Sequence, residues 1–207
     1  MFDFSKAAGF IFDCDGTLID ALDAWERAEE ALFAQTGPLT QEQEDEIHSA
    51  PIERAAETFH ERYGVGESTE SVLRHLDGHL LPFYGERSAA LPGAVEFVRA
   101  VAERGIPCVV VSSSPRRYLE AGLVRAGILA CFRDLVTTDE VGCSKQEPGI
   151  YDRALQVLGT EACRTWAVDD APYAICAMHR FGLKTICVGE RTSPHADIDV
   201  VSLAELL

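Results

Sequence analysis

The chain has 207 residues, of which 47% are hydrophobic, so it is long enough to bury a core as one large domain or as a core with a smaller insertion. Its 34 acidic residues outnumber its 18 basic residues, and a formal net charge of −16 argues against nucleic acid as a partner, because phosphate backbones are bound by basic patches. No apolar run approaches the roughly 20 residues of a membrane helix, and residues 1–12 lack the basic start and long apolar segment of a secretory signal, so we expect a cytoplasmic protein with no membrane partner.

The first predicted element is a buried strand that ends in two carboxylates. Residues 9–12 are Gly-Phe-Ile-Phe, an uninterrupted run typical of a parallel strand covered on both faces. Asp13 and Asp15 follow, at the strand end where open α/β sheets bind ligands. Two carboxylates so close together need a cation, a proton or hydrogen bonds, which favours a hard metal such as Mg²⁺. An ordinary Asp-Gly turn is the alternative interpretation.

The next segment, residues 20–88, predicts helices and no strand. A helix at residues 20–33 ends before Gly37-Pro38, and further helical stretches lie near residues 40–62 and 68–84. An all-helical insertion directly after the first strand predicts a cap over the site. We therefore expect a helical cap domain at residues 20–88 and an α/β core domain made of residues 1–19 and 89–207.

From residue 92 onward, short apolar runs alternate with amphipathic segments. The segments predict helices near residues 92–104, 115–126, 147–158 and 171–181, and strands at residues 107–111, 135–137, 165–168, 184–188 and 198–201. Strands that alternate with helices in this way indicate βαβ units and a mostly parallel sheet with right-handed crossovers.

Later strand ends supply groups that complement the first carboxylate pair. Ser112 and Ser113 follow a strand and begin a helix, where backbone N–H groups and hydroxyls suit a phosphate, although a serine at this position is by itself more typical of an ordinary helix cap. Asp169 and Asp170 form a second carboxylate pair at a second strand end. Lys145 lies between the two carboxylate pairs, in a loop after the strand near residue 135. By itself it is typical of a solvated surface lysine.

Together these segments resemble the haloacid dehalogenase-like superfamily, and within it the phosphatases with a small helical cap inserted after the first motif. The family's motifs are Asp-x-Asp-Gly-Thr, a Ser or Thr that closes an apolar strand, a Lys, and an acidic pair. They correspond here to residues 13–17, Ser112, Lys145 and Asp169-Asp170. Order and spacing agree over nearly the whole chain. The resemblance implies a Rossmann-like doubly wound parallel sheet core with a helical cap inserted after the first strand.

The resemblance also implies an activity, which is hydrolysis of a small phosphorylated metabolite. Asp13 would be the nucleophile that forms an aspartyl-phosphate, and Asp15 would be the general acid and base. Mg²⁺ would be held by the Asp13 carboxylate, the Asp15 backbone carbonyl and Asp170, with Asp169 binding directly or through a water. The chain would act as a monomer or weak homodimer.

Phosphate binding is assigned by the same resemblance to four residues that carry hydroxyl or ammonium groups. They are Thr17, Ser112, Ser113 and Lys145. The third motif departs from the usual Lys-Pro-x-Pro-Asp, because Lys145 is followed by Gln-Glu-Pro-Gly, so we expect this lysine to be held less rigidly. The fourth motif has Asp169 where many members have Glu, and the shorter side chain is expected to reach the metal less easily.

Members of the same family catalyse other reactions. Dehalogenases lack the second aspartate, so Asp15 argues against that reaction, and a phosphonate-cleaving enzyme would need a cap lysine, whereas residues 20–88 contain none. A mutase of the β-phosphoglucomutase type shares all four motifs, but it generally has a histidine where Trp25 stands and tends to lack the hydroxyl of Thr17. Phosphatase is favoured, while the mutase and a non-catalytic, phosphoryl-accepting domain stay open.

Overall fold

The computed structural model describes residues 2–207, and its centre is a six-stranded parallel sheet. The strands are β1 (Gly9–Phe12), β2 (Cys108–Ser112), β3 (Leu135–Thr137), β4 (Thr165–Asp169), β5 (Lys184–Val188) and β6 (Ile198–Val200). They pair in the order β3-β2-β1-β4-β5-β6, and every neighbouring pair is parallel. The predicted doubly wound sheet is therefore confirmed, including the edge strand close to the chain's end.

Helices cover both faces of the sheet and also form the segment between β1 and β2. They are α1 (Leu22–Thr36), α2 (Gln41–Ser49), α3 (Ile52–Glu57), α4 (Thr69–Pro82), α5 (Ala94–Glu103), α6 (Arg116–Ala126), α7 (Thr138–Val141), α8 (Pro148–Leu158) and α9 (Pro172–Arg180). α3 and α4 each continue into a π-helical turn, at Thr58–Arg62 and Phe83–Arg87. Among residues 2–207, no helix has the length and apolar character that crossing a membrane requires.

The central strand β1 is apolar throughout because its two faces contribute to two different cores. Phe10 and Phe12 point into the core beneath α5 and α6, which also includes the buried side chains of α1 to α4. Ile11 points to the opposite face and packs with the apolar side chains of α8 and α9. All three side chains are fully buried, and each contributes about 1.5–3 kcal/mol by leaving water.

The strand order places a point of topological reversal beside β1. The chain runs outward from β1 through β2 to β3, and it then returns to the other side of β1 to form β4 and continue to β6. In open α/β sheets the crevice at such a reversal, beyond the carboxyl ends of the strands, is where ligands bind. Asp13 lies there, since it follows β1 directly and its backbone nitrogen donates to the Val168 carbonyl at 2.8 Å.

Two short linkers connect the helices α1 to α4 with the rest of the chain, and they pair with each other. Ile19 and Ala90 form an isolated antiparallel bridge. The Asp20 backbone nitrogen donates to the Ala89 carbonyl at 2.9 Å, beside that bridge. We propose that these linkers bound the cap at residues 20–88, and α1 to α4 with their π-helical turns are called the cap helices below.

The predicted helix near residues 40–62 is wrong in one respect, because the structure divides it into α2 and α3. The break lies at Ala50-Pro51, where Ala50 has an extended backbone with ψ of 159°. A residue before proline avoids the helical region, and proline itself is tolerated only at a helix start. Pro51 therefore ends one helix and begins the next, whose Ile52 nitrogen donates to Asp139 Oδ1 of α7 at 3.0 Å.

This contact between α3 and α7 predicts a pH-dependent stability. Burial, followed by contact with the Glu53 carboxyl group, raises the pKa of Asp139 to about 7. The unfolded-state pKa is about 3.9, so the stability contributed by this group is fully present below that value and is lost as the pH rises through 7. Asp139→Asn keeps the acceptor for Ile52 and removes the charge. We expect it to stabilise the protein at about pH 8 by about 1 kcal/mol, since solvent screens this partly buried site.

Thermal unfolding at about pH 5 and about pH 8 measures this effect. The stabilisation by Asp139→Asn should be present at the higher pH and small at the lower one. Asp139→Ala is the control, because it also loses the acceptor for the Ile52 N–H group and should gain less than the asparagine variant at the higher pH. An asparagine variant that melts at or below the wild-type temperature at about pH 8 would contradict the prediction.

Candidate active site

The carboxyl ends of β1, β2 and β4 bring three of the predicted motifs to one edge of the sheet. Phe12 of β1 pairs with Val110 of β2 on one side and with Val168 of β4 on the other. Asp13 follows β1, Ser112 ends β2 and Asp169 ends β4. Because parallel strands point the same way, the three strand ends lie at one edge of the sheet although these residues are far apart in sequence.

Lys145 completes this cluster from the loop between α7 and α8. Its Nζ donates to Asp13 Oδ1 at 2.5 Å and to Asp169 Oδ2 at 2.9 Å. All three residues are buried, and Lys145 is only 4% exposed. Burial opposes the charge of Lys145, but the two carboxylates outweigh it and raise the lysine's pKa well above its usual value. The lysine is therefore a charged, internal group rather than a surface one.

The negative charge of the carboxylates in this cluster exceeds the positive charge that Lys145 supplies there. One carboxylate oxygen each from Asp13, Asp169 and Asp170 lies within 4.8 Å of the other two. Burial raises the pKa of Asp13 well above its usual value, against the opposing effect of Lys145. Burial, with repulsion by Asp169, raises the pKa of Asp170 to about 7. The ammonium of Lys145 bonds Asp13 and Asp169, while within residues 2–207 no cation is bonded to Asp170, so the site favours a further cation.

The donor set fits Mg²⁺ by its chemistry and by the room beside it. Carboxylate and carbonyl oxygens are the ligands that this ion prefers. Gly16 has a φ of +82°, and a Cβ atom at this position would lie only 2.8 Å from Asp170 Oδ2. Glycine therefore keeps open the space in front of the Asp170 carboxylate that any larger residue would fill.

Two hydroxyl groups at the same edge are buried without a hydrogen-bond partner within residues 2–207. They are Thr17 Oγ1 and Ser113 Oγ. The neighbouring Ser112 Oγ accepts from the Ser114 backbone nitrogen at 3.0 Å, which leaves its own proton free for another acceptor. Unpaired buried hydroxyls are costly, and an oxygen-rich anion such as phosphate would satisfy them.

Asp15 has different partners from Asp13, although only one residue separates them. Its Oδ1 accepts a short hydrogen bond from the Tyr84 hydroxyl, and its Oδ2 accepts from Ser114 Oγ at 2.5 Å. Burial raises the pKa of Asp15, while the hydrogen bonds from Ser114 and Tyr84 lower it. Sequence reasoning missed both donors. Ser114 adjoins the predicted serines and could have been found, whereas Tyr84 carries no signal of spacing or motif.

The altered third motif is anchored by contacts that the sequence did not predict. The Lys145 backbone nitrogen donates to the Ser49 carbonyl at 3.2 Å, and its carbonyl accepts from the Tyr151 hydroxyl at 2.6 Å. Gln146, which stands where the family has proline, donates from Nε2 to Ser49 Oγ at 3.2 Å. The loop that carries Lys145 is thus tied to the end of the cap helix α2, which compensates for the missing proline.

Comparison with known proteins identifies relatives over almost the whole chain. The family model described as haloacid dehalogenase-like hydrolase matches residues 7–182. The chain is 30% identical over 185 residues to hexitol phosphatase A of Escherichia coli strain K12, and the alignment covers 88% of this chain and 83% of that protein. It is 28% identical over 191 residues to the validoxylamine A 7'-phosphate phosphatase of Streptomyces hygroscopicus subsp. limoneus, with 90% and 87% of the two chains covered.

Solved structures share the fold. CbbY from Rhodobacter sphaeroides, crystallised in complex with phosphate, superposes with a TM-score of 0.79 at 22% sequence identity. The superposition covers 97% of this chain and 96% of that one. Both the parallel sheet and the helical segment inserted after its first strand thus fall within the aligned part.

Proposed function

This chain belongs to the haloacid dehalogenase-like hydrolases, and we propose that within this family it is a Mg²⁺-dependent phosphatase of small phosphorylated sugars or sugar alcohols. The substrate class follows from the two curated relatives, whose names describe phosphatases of a hexitol phosphate and of validoxylamine A 7'-phosphate. The reaction would proceed through an aspartyl-phosphate on Asp13.

The observation that carries this proposal is the different environment of the two aspartates of the first motif. Asp13 faces the Lys145 ammonium, and Asp15 faces two hydroxyl donors. Two nearby carboxyl groups with different partners can take different roles in one reaction. Asp13, beside a cation that attracts phosphate, suits the nucleophile, and Asp15 suits the acid and base.

In the proposed reaction the Asp13 carboxylate attacks phosphorus, and the bond from phosphorus to the ester oxygen breaks. Asp15 gives its proton to the departing oxygen and then takes a proton from the water that hydrolyses the aspartyl-phosphate. Lys145 and the hydroxyls of Thr17, Ser112 and Ser113 hold the phosphoryl oxygens during both steps. These groups come from segments at the same edge of the sheet, and the hydroxyls of Thr17 and Ser113 have no hydrogen-bond partner within residues 2–207.

Mg²⁺ would be held by the carboxylates of Asp13 and Asp170 and by the Asp15 backbone carbonyl, with Asp169 binding directly or through a water. It would supply neutralisation of the negative charge on the transferring phosphoryl group. The excess of acidic groups over Lys145 in this cluster supports the assignment.

The position and contacts of Trp25 argue against the mutase alternative. Its indole Nε1 donates to the Tyr84 hydroxyl at 2.8 Å, and its ring packs edge-on against Tyr118. A residue engaged in this way acts as part of the packing between the cap helices and the core. Its indole nitrogen can only donate and is already bonded to Tyr84, so Trp25 does not offer the basic ring nitrogen that a histidine at this position would provide.

A phosphate-release assay over a panel of sugar and hexitol phosphates tests the proposed function. We expect steady turnover with Mg²⁺ and almost none with EDTA. Conversion of β-glucose 1-phosphate into glucose 6-phosphate, measured by NMR, would instead show a mutase. A single stoichiometric phosphorylation by acetyl phosphate, without turnover, would show a phosphoryl-accepting domain.

Mg²⁺ is also expected to raise the melting temperature of the wild-type protein, because it relieves repulsion among the buried carboxylates. At a concentration about a hundredfold above the dissociation constant, the stabilisation is about 2.7 kcal/mol. Asp170→Ala removes a ligand together with part of the repulsion. We expect the metal-free variant to be no less stable than the metal-free wild type and to lose both the response to Mg²⁺ and activity.

Differential scanning calorimetry with and without Mg²⁺ measures this response. Asp152→Ala is the matched control, because Asp152 is an exposed acidic residue on α8, away from the cluster. The control should keep the full Mg²⁺ response. An equal response in the Asp170 variant would rule out this residue as a ligand.

A further inference from the structure

The carboxyl group of Asp15 is restrained at both oxygens by side chains that come from different parts of the fold. Tyr84 donates to Oδ1 from the π-helical turn that follows α4, and Ser114 donates to Oδ2 at 2.5 Å from the segment after β2. With both oxygens engaged, rotation of the carboxyl group breaks at least one charge-assisted hydrogen bond, which is among the stronger kinds. The orientation of Asp15 therefore depends on where Tyr84 is held.

Tyr84 is itself held firmly. Its side chain is fully buried, and its ring stacks on Tyr118 with centroids 5.3 Å apart and an interplanar angle of 11°. Gly122 of α6 lies against the ring so closely that a Cβ atom there would be 3.1 Å from Tyr84 Cδ1. The Tyr84 hydroxyl accepts from Trp25 Nε1 at 2.8 Å and donates to Asp15. One donor and one acceptor thus orient the hydroxyl group.

The two aromatic residues in this series of hydrogen bonds lie at the two connections of the cap helices. Trp25 lies in the first turns of α1, shortly after the first linker, and Tyr84 lies just before the second. The linkers are bonded to each other through Ile19 and Ala90. The placement of the cap helices is therefore transmitted to Asp15 by a direct series of contacts.

We infer that Tyr84 is a positioning residue, which fixes the orientation of the Asp15 carboxyl group for proton transfer, and that Trp25 acts one step further away by fixing the Tyr84 hydroxyl. This inference rests on the proposed role of Asp15 as acid and base. In this scheme Tyr84 does not touch the phosphoryl group, and it makes no hydrogen bond to the carboxylates of Asp13, Asp169 or Asp170. Its loss should therefore affect the steps that move protons and leave phosphate binding intact.

Tyr84→Phe tests the inference, because it removes the hydroxyl and keeps the ring. For sorbitol 6-phosphate, or the alkyl phosphate that the wild type hydrolyses fastest, we expect kcat to fall about 10- to 100-fold, part of the 10²–10⁴ that general acid–base catalysis supplies. KM should stay within about twofold, since binding does not involve Tyr84. For p-nitrophenyl phosphate, whose leaving group needs no proton, the first turnover should remain fast.

The second step gives a further readout. Because Asp15 also activates the water, the variant should release nitrophenol in a burst and accumulate phosphorylated protein, which acid quenching and mass spectrometry detect. Trp25→Phe should show the same pattern with a smaller loss.

Tyr118→Phe is the matched control for these measurements. It removes a hydroxyl from the same aromatic cluster, but one that donates to Asp77 rather than to Asp15. Its kinetics with both substrates should match the wild type. Melting temperatures of all three variants show whether they are folded. Should Tyr84→Phe fail to fold, Trp25→Phe tests the inference instead, by the burst of nitrophenol and by the loss of kcat with the alkyl phosphate.

Three results would contradict the positioning role of Tyr84, and they show whether the proposed phosphatase function fails with it. Tyr84→Phe kinetics equal to those of Tyr118→Phe would overturn the positioning role alone. A Tyr84→Phe variant faster than the wild type would also overturn it, because the tyrosine would then be holding Asp15 away from the reaction. A folded wild type that hydrolyses no phosphate ester would overturn the proposed function, and this inference with it.

Discussion

Asp13→Asn should abolish phosphate release while leaving the fold intact, with a loss of activity of about 10⁴-fold or more. The amide is nearly isosteric with the carboxylate, but it is not a nucleophile and is a poorer metal ligand. The fold should tolerate the amide because Lys145 keeps a second carboxylate partner, Asp169, at 2.9 Å, so its ammonium is not left unpaired. We therefore expect a metal-free melting temperature within a few degrees of the wild type.

Phosphate release and trapping of the phosphorylated protein measure this prediction together. The variant should form no acid-stable phosphoprotein from any substrate. Asp152→Asn, on the exposed side of α8, is the control and should keep wild-type activity. More than about 1% of wild-type activity in the Asp13 variant, after contaminating phosphatase is excluded, would show that another residue is the nucleophile.

Lys145→Met should cost both activity and stability. The lysine is the cation that Asp13 and Asp169 share within the buried cluster, at 2.5 and 2.9 Å. Removing one partner of a buried ion pair leaves an uncompensated charge and typically costs about 3–5 kcal/mol. We expect a loss of this size at about pH 8 without metal, together with a loss of activity of about 10³-fold or more, because the phosphoryl oxygens lose their ammonium partner.

The pH dependence of this loss follows from the remaining acids. Without Lys145 the pKa of Asp13 rises further, so the folded variant takes up a proton and its stability falls as the pH rises through that raised value. The deficit should thus shrink at about pH 5. Adding Asp13→Asn to Lys145→Met should likewise recover part of the stability at about pH 8.

Chemical unfolding at the two pH values provides the measurement, and Lys184→Met provides the control. Lys184 is exposed on β5 and pairs with Asp197 at 3.1 Å. Surface pairs of this kind contribute at most about 1 kcal/mol. Equal stability of the two methionine variants at about pH 8 would contradict the buried ion pair as a stabilising element.

The parallel sheet was predictable because strands that are buried on both faces are apolar at every position. The run at residues 9–12 is apolar at every position since Phe10 and Phe12 enter one core and Ile11 the other. The division of the helix near residues 40–62 was not predicted. Residues on both sides of Pro51 keep a helical pattern, and the break depends on the conformation that this proline imposes on Ala50.

The convergence of the motifs was also predictable, because every one of them follows a strand or lies in a loop at the carboxyl edge of a parallel sheet. What the sequence could not predict is how the motif residues are held. It suggested a loosely held Lys145, whereas Ser49 of α2 and Tyr151 of α8 anchor the residue's backbone. Ser49 lies far away along the chain, and no local pattern records such a contact.

The amino-acid sequence by itself thus determined the α/β fold, the family and the set of acidic, hydroxyl and lysine groups at the strand ends, because periodicity and motif spacing are local properties of the chain. The tertiary structure alone decided the orientation of Asp15 and the burial of Lys145. Both depend on how the cap helices pack on the core, where Tyr84 meets Asp15 across 69 positions of sequence. Such a contact depends on how all the side chains of the cap helices and of the α/β core pack together, and no short segment of sequence encodes that packing.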